Sequence, residues 1–355
     1  MGERTGEQVG KLPPVRFGVI GINHNHIYGM TDLLLRAGAE LVSFFAPEPE
    51  LAAEYGSKYP QAKAAGSASE VLEDERIALI ACAGIPADRA AVGIAAMRHG
   101  KDVISDKPGF TTLEQLAEAR RVQAETGRIY SICYSERLEV RAAVKAGELV
   151  KAGAIGRVVQ TVGLGPHRIH PPARPDWFYK KERFGGILTD IASHQADQFL
   201  FYTGSTAASV VAAQVANVAH PQHPELEDFG DMMLHGNGGM GYVRVDWFTP
   251  PGLGIWGDGR LTILGTEGYI ELRKYIDIGG RPGGDHLFLV DGKGIRHIDC
   301  SGEDLPYGRQ LLYDVVHRTE TAMPQAHCFL GMQLVLEAQQ LADQARDLAR
   351  IAEKK

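Results

Sequence analysis

The first part of the chain alternates short apolar runs with amphipathic, Ala- and Glu-rich stretches, and this alternation restricts the fold more than any other feature. The apolar runs indicate strands, and the stretches between them repeat with helical spacing. Apolar strands that alternate with helices are typical of a parallel sheet covered by helices on both faces. The predicted strands are residues 15–20, 40–45, 78–82, 102–105 and 129–133.

Beyond Tyr134 the pattern changes to runs of strands broken by Gly and Pro. Successive strands without intervening helices predict an antiparallel sheet, and hence an α+β second domain. A chain of 355 residues is long enough for two domains. We therefore expect a polar tail over 1–14, an α/β domain over 15–135, an α+β domain with a large, mostly antiparallel open sheet over 136–330, and a C-terminal helix over 331–355.

Composition and charge argue against several classes of protein. The 37 Lys and Arg residues against 44 Asp and Glu give a net charge of −7, which disfavours a nucleic-acid-binding protein. The four cysteines form no CxxC pair, so buried thiols in a reducing compartment are expected rather than disulfides or a zinc site. No apolar run approaches the roughly 18 residues of a membrane helix, and the N-terminus has no signal-peptide core. These features predict a cytoplasmic protein that contacts neither nucleic acid nor membrane.

The turn after the first strand is a candidate phosphate-binding site. A dinucleotide-binding fold places G-x-G-x-x-G here, so that the backbone can turn and approach a pyrophosphate. Gly21 occupies the first position, but Asn23 and His26 occupy the second and third. Asn tolerates a positive φ, and the N-terminus of the following helix offers N–H groups to an anion. The turn therefore predicts a cofactor site formed by Gly21, Ile22, Asn23, His24 and His26.

The acidic residue that holds the ribose of NAD is expected about 20 positions after the glycine turn. Ala46 and Pro47 lie there instead, and Glu48 follows them. Glu48 is the candidate ribose ligand, and an exposed loop carboxylate is the alternative interpretation. No Lys or Arg stands at this place to bind a 2′-phosphate, and the choice between NAD and NADP stays open.

His24 and His26 form an H-x-H pair, which is able to bind zinc. On a strand the two imidazoles would share a face, but in a turn or first helical turn positions i and i+2 diverge. We therefore predict no metal and assign both histidines to the pocket wall or the cofactor. Simple packing and a metal hydrolase are the alternatives.

Two later segments carry groups suited to proton transfer. Lys107 directly follows the fourth predicted strand, and ligands bind outside the carboxyl ends of strands in an open α/β sheet. Asp190 and His194 are spaced i, i+4 in a helix predicted to begin near Gly186, so they share a face. A carboxylate that orients an imidazole makes a general base. The alternative is a set of surface charges, but the apolar residues around Asp190 indicate a buried helix.

Together these motifs resemble the Gfo/Idh/MocA family of NAD(P)-dependent sugar and cyclitol dehydrogenases. Asp-Lys-Pro at 106–108 resembles the family's Glu-Lys-Pro motif, and 185–194 resembles its G-G-x-x-x-D-x-x-x-H segment. The resemblance extends from Val15 onward and implies a Rossmann domain followed by an α+β domain with a large open sheet. It also implies that Ala83, Gly84 and Pro86 lie near the nicotinamide. The chain departs from the family pattern at Asn23, His26, Ala46, Arg89 and Asp106.

The resemblance implies reversible oxidation of a secondary hydroxyl of a sugar, cyclitol or polyol, with hydride transfer to NAD or NADP. Lys107 would hold the reacting oxygen, His194 would take its proton and Asp190 would orient His194. The expected substrate contacts follow the fifth strand or lie in the loop before the catalytic helix: Tyr134, Arg137, His167, His170, Arg174, Trp177 and Tyr179, besides His194 itself.

Two alternatives keep the fold but change the function. One is an enzyme that retains NAD and catalyses elimination or glycoside hydrolysis, and the other is a non-catalytic sensor, which the altered glycine turn would suit. The exposed face of an open sheet is a hydrophobic liability unless it is paired. The family habit of packing these sheets together implies a homodimer or homotetramer.

Overall fold

A computed structural model describes residues 14–169 and 174–353 of the chain. The predicted tail over 1–14 lies outside the described residues except for Pro14, and so does His170. Within the described residues, no helix combines the length and the apolar character that crossing a membrane requires.

The elements alternate in the first half of the chain and then give way to successive strands. The strands are β1 (Arg16–Ile20), β2 (Glu40–Phe45), β3 (Lys63–Ala64), β4 (Leu79–Cys82), β5 (Asp102–Asp106), β6 (Tyr130–Cys133), β7 (Val158–Pro166), β8 (Ala208–Ala216), β9 (Phe229–Gly236), β10 (Met240–Asp246), β11 (Arg260–Gly265), β12 (Gly268–Arg273), β13 (His286–Asp291) and β14 (Gly294–Asp299). The helices are α1 (His26–Arg36), α2 (Pro49–Lys58), α3 (Ala68–Glu73), α4 (Pro86–Arg98), α5 (Leu113–Thr126), α6 (Ser135–Leu138), α7 (Arg141–Lys151), α8 (Lys181–Phe184), α9 (Ile187–Asp190), α10 (Ala192–Thr203), α11 (Tyr307–His317) and α12 (Gln325–Glu353).

The first sheet is parallel and has the strand order β3-β2-β1-β4-β5-β6. Every residue of β4, β5 and β6 is buried, because helices cover both faces of the sheet. The strand order reverses between β1 and β4, and ligands bind in the crevice at such a switch point. The predicted α/β Rossmann architecture is confirmed, with β3 as an additional two-residue edge strand.

The second sheet contains eight strands in the order β14-β13-β12-β11-β7-β10-β9-β8. Only the β7–β10 pair is parallel, so the sheet is mostly antiparallel, as predicted. Helix α10 packs on β7 and β10, while the opposite face carries partly exposed and exposed side chains. One covered face and one open face explain the alternation of buried and exposed residues along these strands.

The C-terminal helix connects the two halves of the molecule. It begins at Gln325, earlier than the predicted residue 331, and packs against β8, α10 and α5. The buried Gln325 side chain accepts a hydrogen bond of 2.8 Å from the backbone N–H of Tyr130 in β6. The main hydrophobic core includes residues from both sheets and from this helix. The shared core holds the crevice between the domains in a defined geometry.

Candidate active site

A cavity of about 400 Å³ lies at the switch-point edge of the parallel sheet, facing the second sheet. It brings together residues from the first turn, the end of β5, α6, α9 and α10, and residues that follow the ends of strands in the second sheet. Its lining residues are His24, Asn25, His26, Pro86, Lys107, Ser135, Glu136, His167, Arg168, Arg174, Trp177, Phe178, Phe184, Asp190, His194, Trp247, Trp256 and Tyr275.

Lys107 enters the cavity from the carboxyl end of β5. Its side chain is 5% exposed, and its Nζ donates a hydrogen bond of 2.8 Å to Oδ1 of Asp190. Asp190 is the last residue of α9, in the other domain. The ion pair therefore joins the two domains across the cavity and directs the ammonium group toward it. An ammonium group in this position is able to stabilise charge on a reacting oxygen.

His194 lies in the first turn of α10 and is 2% exposed. Its buried Nδ1 has no hydrogen-bond partner among the described residues. Burial, helped by the nearby Lys107, His26 and His167 and opposed by Glu136, lowers the pKa of His194 to about 3. The imidazole is therefore neutral at physiological pH and is able to accept a proton from a hydroxyl group.

The expected hydrogen bond between Asp190 and His194 is not formed, which corrects the predicted role of Asp190. The chain does not continue as one helix from Gly186: α9 ends at Asp190, and α10 begins at Ala192. The carboxylate of Asp190 binds Lys107 instead. Asp190 thus holds the ammonium group in place, whereas the orientation of His194 follows from the packing of α10.

Glu136, which the sequence analysis did not identify, also lines the cavity. Its Oε2 accepts hydrogen bonds from Nζ of Lys274 at 2.5 Å and from Nε2 of Gln195 at 3.1 Å, while its buried Oε1 has no partner among the described residues. Burial raises its pKa, but Lys274, His194 and His167 together lower that pKa to about 2. Glu136 is thus a buried, ionised acceptor. The available signal was its position directly after the last strand of the parallel sheet.

The predicted substrate contacts Tyr134 and Arg137 do not reach the cavity. The buried Tyr134 hydroxyl donates to the carbonyl oxygen of Cys328 at 3.2 Å. Arg137 donates from Nε and Nη2 to the carboxylate of Asp197, at 2.6 and 2.8 Å. Adjacent residues of a helix point in different directions, so the turn of α6 that directs Glu136 into the cavity directs Arg137 into the core.

Aromatic rings form the wall of the cavity opposite Lys107. His167 and Trp177, the expected substrate contacts, lie in this wall together with Trp247, Trp256 and Tyr275. The centroid of the His167 ring lies 5.4 Å from that of Trp247 and 4.7 Å from that of Trp256, and burial lowers the pKa of His167 to about 4. Of the other expected contacts, Arg174 lines the cavity, whereas Tyr179 stacks on His223 away from it.

The predicted cofactor turn packs tightly against the loop that follows β4. Gly21 has a φ of +83°, and a Cβ at this position would lie 2.9 Å from the Cα of Gly84. The backbone N–H of His24 donates to the carbonyl oxygen of Ala83 at 2.9 Å. The side chains of Ile22 and Ala83 are buried, so these residues contribute their backbone to the surface of the two packed loops. The glycine is therefore required for both its conformation and its lack of a side chain.

Asn23 replaces the second glycine and binds Glu48. Its Nδ2 donates to Oε1 of Glu48 at 2.8 Å. The other carboxylate oxygen, Oε2, is buried and has no hydrogen-bond partner among the described residues. Glu48 precedes α2 by one residue. The carboxylate is thus held beside the first turn with one acceptor available to a hydroxyl group.

His24 and His26, which are partly exposed, cluster with the buried Asp106 and Arg89 beside the turn. Nδ1 of His26 lies 3.0 Å from Oδ1 of Asp106, and Nη2 of Arg89 lies 3.0 Å from its Oδ2. Burial raises the pKa of Asp106, but His26, Arg89 and His24 hold it well below its usual range, and burial lowers the pKa of His24. Ligand atoms of Asp106 and both histidines lie within 4.8 Å of one another, as in a metal site. The guanidinium of Arg89 already neutralises the carboxylate of Asp106, whose negative charge a metal ion would need.

Comparison with known families covers both domains. A model described as an oxidoreductase family with an NAD-binding Rossmann fold matches residues 15–134. A second model, described as the GFO/IDH/MocA C-terminal domain, matches residues 143–271. The chain belongs to the Gfo/Idh/MocA family. It is therefore an NAD(P)-dependent oxidoreductase, and residues 15–134 form its dinucleotide-binding domain.

Proteins similar to this chain include one from Erwinia carotovora atroseptica SCRI1043, whose solved structure is described as that of an oxidoreductase. It is 50% identical, with a TM-score of 0.90 over 92% of this chain and 98% of that one. The scyllo-inositol 2-dehydrogenase (NAD(+)) of Bacillus subtilis (strain 168) is 25% identical over 94% of this chain and 86% of its own length. The D-xylose dehydrogenase of Paenarthrobacter nicotinovorans is 29% identical, but the match spans only 40% of this chain and 37% of that enzyme.

The first turn fits the dinucleotide that the Gfo/Idh/MocA family binds. The absence of side chains at Gly21 and Gly84 allows the two loops to pack closely, and Oε2 of Glu48, without a partner among the described residues, would accept a hydrogen bond from a ribose hydroxyl. Asn23 fills space that a glycine would leave open, yet it also positions Glu48. The departures at these positions therefore preserve a cofactor cradle in altered form.

Proposed function

We propose that the protein reversibly oxidises a secondary hydroxyl of a sugar, cyclitol or polyol. One observation carries this proposal: Lys107 and the unpartnered imidazole of His194, from different domains, line the same cavity. The bound NAD or NADP would accept the hydride from the carbinol carbon. An alcohol that enters the cavity would become a carbonyl compound, with its hydroxyl proton transferred to the protein.

Three residues share the proton chemistry in this proposal. The neutral imidazole of His194 accepts the hydroxyl proton, because its low pKa keeps it unprotonated before the reaction. Lys107 donates a hydrogen bond to the substrate oxygen and stabilises the negative charge that develops there. Asp190 holds Lys107 through the 2.8 Å ion pair. A non-catalytic sensor would have no need of this arrangement.

Glu48 supports a preference for NAD over NADP. Its available oxygen would accept a hydrogen bond from a ribose hydroxyl, whereas a 2′-phosphate would place negative charge beside the carboxylate. Gly21, Ile22, Asn23, His24 and His26 would surround the pyrophosphate, and Ala83, Gly84 and Pro86 would lie beside the nicotinamide. In this proposal the domain over 15–135 binds the cofactor, and the domain over 136–330 binds substrate and a second subunit.

The open face of the second sheet supports a dimer, which could pair further into a tetramer. Strand pairing places His235, Met240, Gln160, Leu264, Tyr269, Val290 and Ile295 in one row across the sheet. Met240 is 45% exposed, Leu264 42% and Ile295 78%. A surface with several exposed apolar side chains in one row is typical of a protein interface. A second copy of this chain is the proposed partner.

We also infer a cytoplasmic location and a small-molecule substrate. The four cysteines are free thiols, which suits a reducing, cytoplasmic compartment. The net charge of −7 and the size of the cavity suit a small-molecule substrate rather than a nucleic acid.

The test is a stopped-flow assay of nicotinamide absorbance with a panel of sugars, cyclitols and polyols. On the best substrate, Lys107→Met and His194→Asn are each expected to lower the rate by about 10²- to 10⁴-fold. Calorimetry should show that both variants still bind NAD. Lys180→Met is the matched control, because Lys180 is an exposed lysine paired with Glu225. Rates of Lys107→Met within threefold of wild type would refute the proposed mechanism.

A further inference from the structure

Arg174 occupies an unusual position in the wall of the cavity. Its guanidinium carbon lies 4.6 Å from the ring centroid of Phe178 and 5.2 Å from that of Trp247. Its Nε is buried and has no hydrogen-bond partner among the described residues. Aromatic faces on a guanidinium fix its plane while leaving its N–H edge available. The side chain is therefore preorganised to bind a ligand in the cavity.

The other charged groups of the cavity wall are already compensated. Asp190 binds Lys107, and Glu136 binds Lys274. The guanidinium of Arg168 donates to the backbone carbonyl oxygens of Pro250, Pro251 and Ile255. Asp190 is the carboxylate whose field acts most strongly on Arg174, yet its Oδ1 is bonded to Lys107. Arg168 also has no bonded anion within the described part of the chain and has a buried Nε without a partner there, but its Nη2 is bonded to carbonyl oxygens. Among the described residues, Arg174 has neither a bonded anion nor a bonded carbonyl oxygen.

Arg174 is partly buried, and its buried Nε has lost hydration that no partner among the described residues replaces, which is costly. Burial accordingly lowers the pKa of Arg174. A carboxylate that enters the cavity would replace that hydration with charge-assisted, bidentate hydrogen bonds. A single arginine balances one negative charge, which suits a carboxylate better than a phosphate dianion.

We propose that the substrate carries a carboxylate in addition to the hydroxyl that is oxidised, and that Arg174 binds this carboxylate. The substrate class is then the sugar acids and related polyhydroxy carboxylates rather than neutral sugars. This inference rests on the proposed dehydrogenase function and specifies its substrate. Arg174 acts as a specificity-determining residue, distinct from Lys107 and His194, which act on the hydroxyl group.

The first experiment compares matched substrates that differ only in charge: glucuronate with glucose, galacturonate with galactose, and mannuronate with mannose. For at least one pair, kcat/KM is expected to be about tenfold or more higher for the acid. Arg174→Gln should lower kcat/KM for that acid by about 10- to 100-fold and change the neutral sugar less than threefold. Arg174→Lys should recover part of the loss. Arg183→Gln is the control, because Arg183 lies outside the cavity and pairs with Asp88, so the acid-to-neutral ratio should not change.

The second experiment measures binding without turnover, by intrinsic fluorescence. All three tryptophans of the chain, Trp177, Trp247 and Trp256, line the cavity. Titration of the NADH-bound protein with each acid should change this fluorescence saturably, and Arg174→Gln should weaken the apparent binding by a similar factor. Glucose 6-phosphate serves as the phosphate probe and should bind more weakly than the best acid.

The outcomes separate the inference from the proposed function. Oxidation of neutral sugars at rates equal to or above the acids, or an acid preference that survives Arg174→Gln, overturns the inference while the dehydrogenase stands. Tighter binding of glucose 6-phosphate than of every acid also overturns it. Acid binding that depends on Arg174 without oxidation of any compound supports the carboxylate site and counts against the proposed reaction. If no acid is either bound or oxidised, the inference is overturned.

Discussion

Individual buried ionisable side chains make the free energy of unfolding of this protein depend on pH. His194 is 2% exposed and its pKa is about 3, whereas a histidine of an unfolded chain titrates near 6.5. Between these values the unfolded chain binds a proton that the folded protein does not bind. The free energy of unfolding therefore falls as the pH decreases from about 6.5. Glu136, with a pKa of about 2, contributes stability that is lost only at lower pH, below the pKa of an unfolded glutamate.

We predict that His194→Asn reduces the loss of stability between pH 7 and pH 5. The wild-type loss from this one residue is about 1.4 kcal/mol per pH unit below its unfolded pKa. Urea denaturation at pH 7, 6 and 5 provides the measurement. His317→Asn, at an exposed position in α11, should behave as wild type. An equal pH dependence in His194→Asn and wild type would contradict the prediction.

We predict that cofactor selection also depends on a single residue, Glu48. Glu48→Gln removes a negative charge but keeps the hydrogen bond from Asn23 feasible. We predict that kcat/KM for NAD falls and kcat/KM for NADP rises, so that their ratio changes by about tenfold, because the carboxylate no longer binds a ribose hydroxyl or repels a phosphate. Glu50→Gln is the matched control, two residues further on and exposed. An unchanged ratio in Glu48→Gln would show that Glu48 does not contact the ribose.

At the scale of elements, the short helix α9 is the part on which the site depends most. It begins after Gly185 and Gly186, which have φ values of +91° and +95°, and it ends at Asp190. A Cβ on Gly186 would lie 2.3 Å from Cδ of Gln339 in α12. The side chain of Gln339 accepts the N–H of Leu188 at 3.1 Å. The glycine thus allows α12 to hold α9 in place.

We predict that Gly186→Ala destabilises the protein by about 1–3 kcal/mol, because it combines a strained φ with a steric clash. The shift of α9 should also lengthen the Lys107–Asp190 contact and lower kcat. Gly29→Ala is the control: Gly29 lies in α1 with nothing within 4 Å of its Cβ position, so stability should rise by about 0.5–1 kcal/mol. Urea denaturation and steady-state kinetics measure both effects. Equal stability of the two variants would contradict the argument.

At the scale of the whole molecule, the fold leaves exposed apolar side chains on the open face of the second sheet. We predict that the protein is a dimer or a larger even-numbered oligomer, and that Leu264→Lys converts it to monomers. The lysine would place a charge in the centre of the apolar row, where it would be desolvated. Analytical ultracentrifugation measures the mass. Ile278→Lys is the control, since Ile278 is 61% exposed but lies outside the sheet. A monomeric wild type would contradict the prediction.

Much of the fold could be predicted from local sequence patterns. The parallel strands were identified because each is a short apolar run, and Lys107 was located because it follows one of them. Two of the strands that were missed, β3 and β14, have weak patterns. β3 has two residues, and β14 alternates exposed side chains at the edge of the second sheet. Glu136 was missed because its partner, Lys274, is 138 positions away in the sequence.

The sequence by itself determined the two sheets, their order along the chain and the edge at which the site lies, because these depend on periodicity and on the carboxyl ends of parallel strands. Only the tertiary structure decided which charges pair. Asp190 binds Lys107 rather than the nearby His194, Asn23 binds Glu48, and Arg137 lies in the core instead of the cavity. Charge pairing depends on distances of a few ångströms between residues far apart in sequence, and only the folded chain sets those distances.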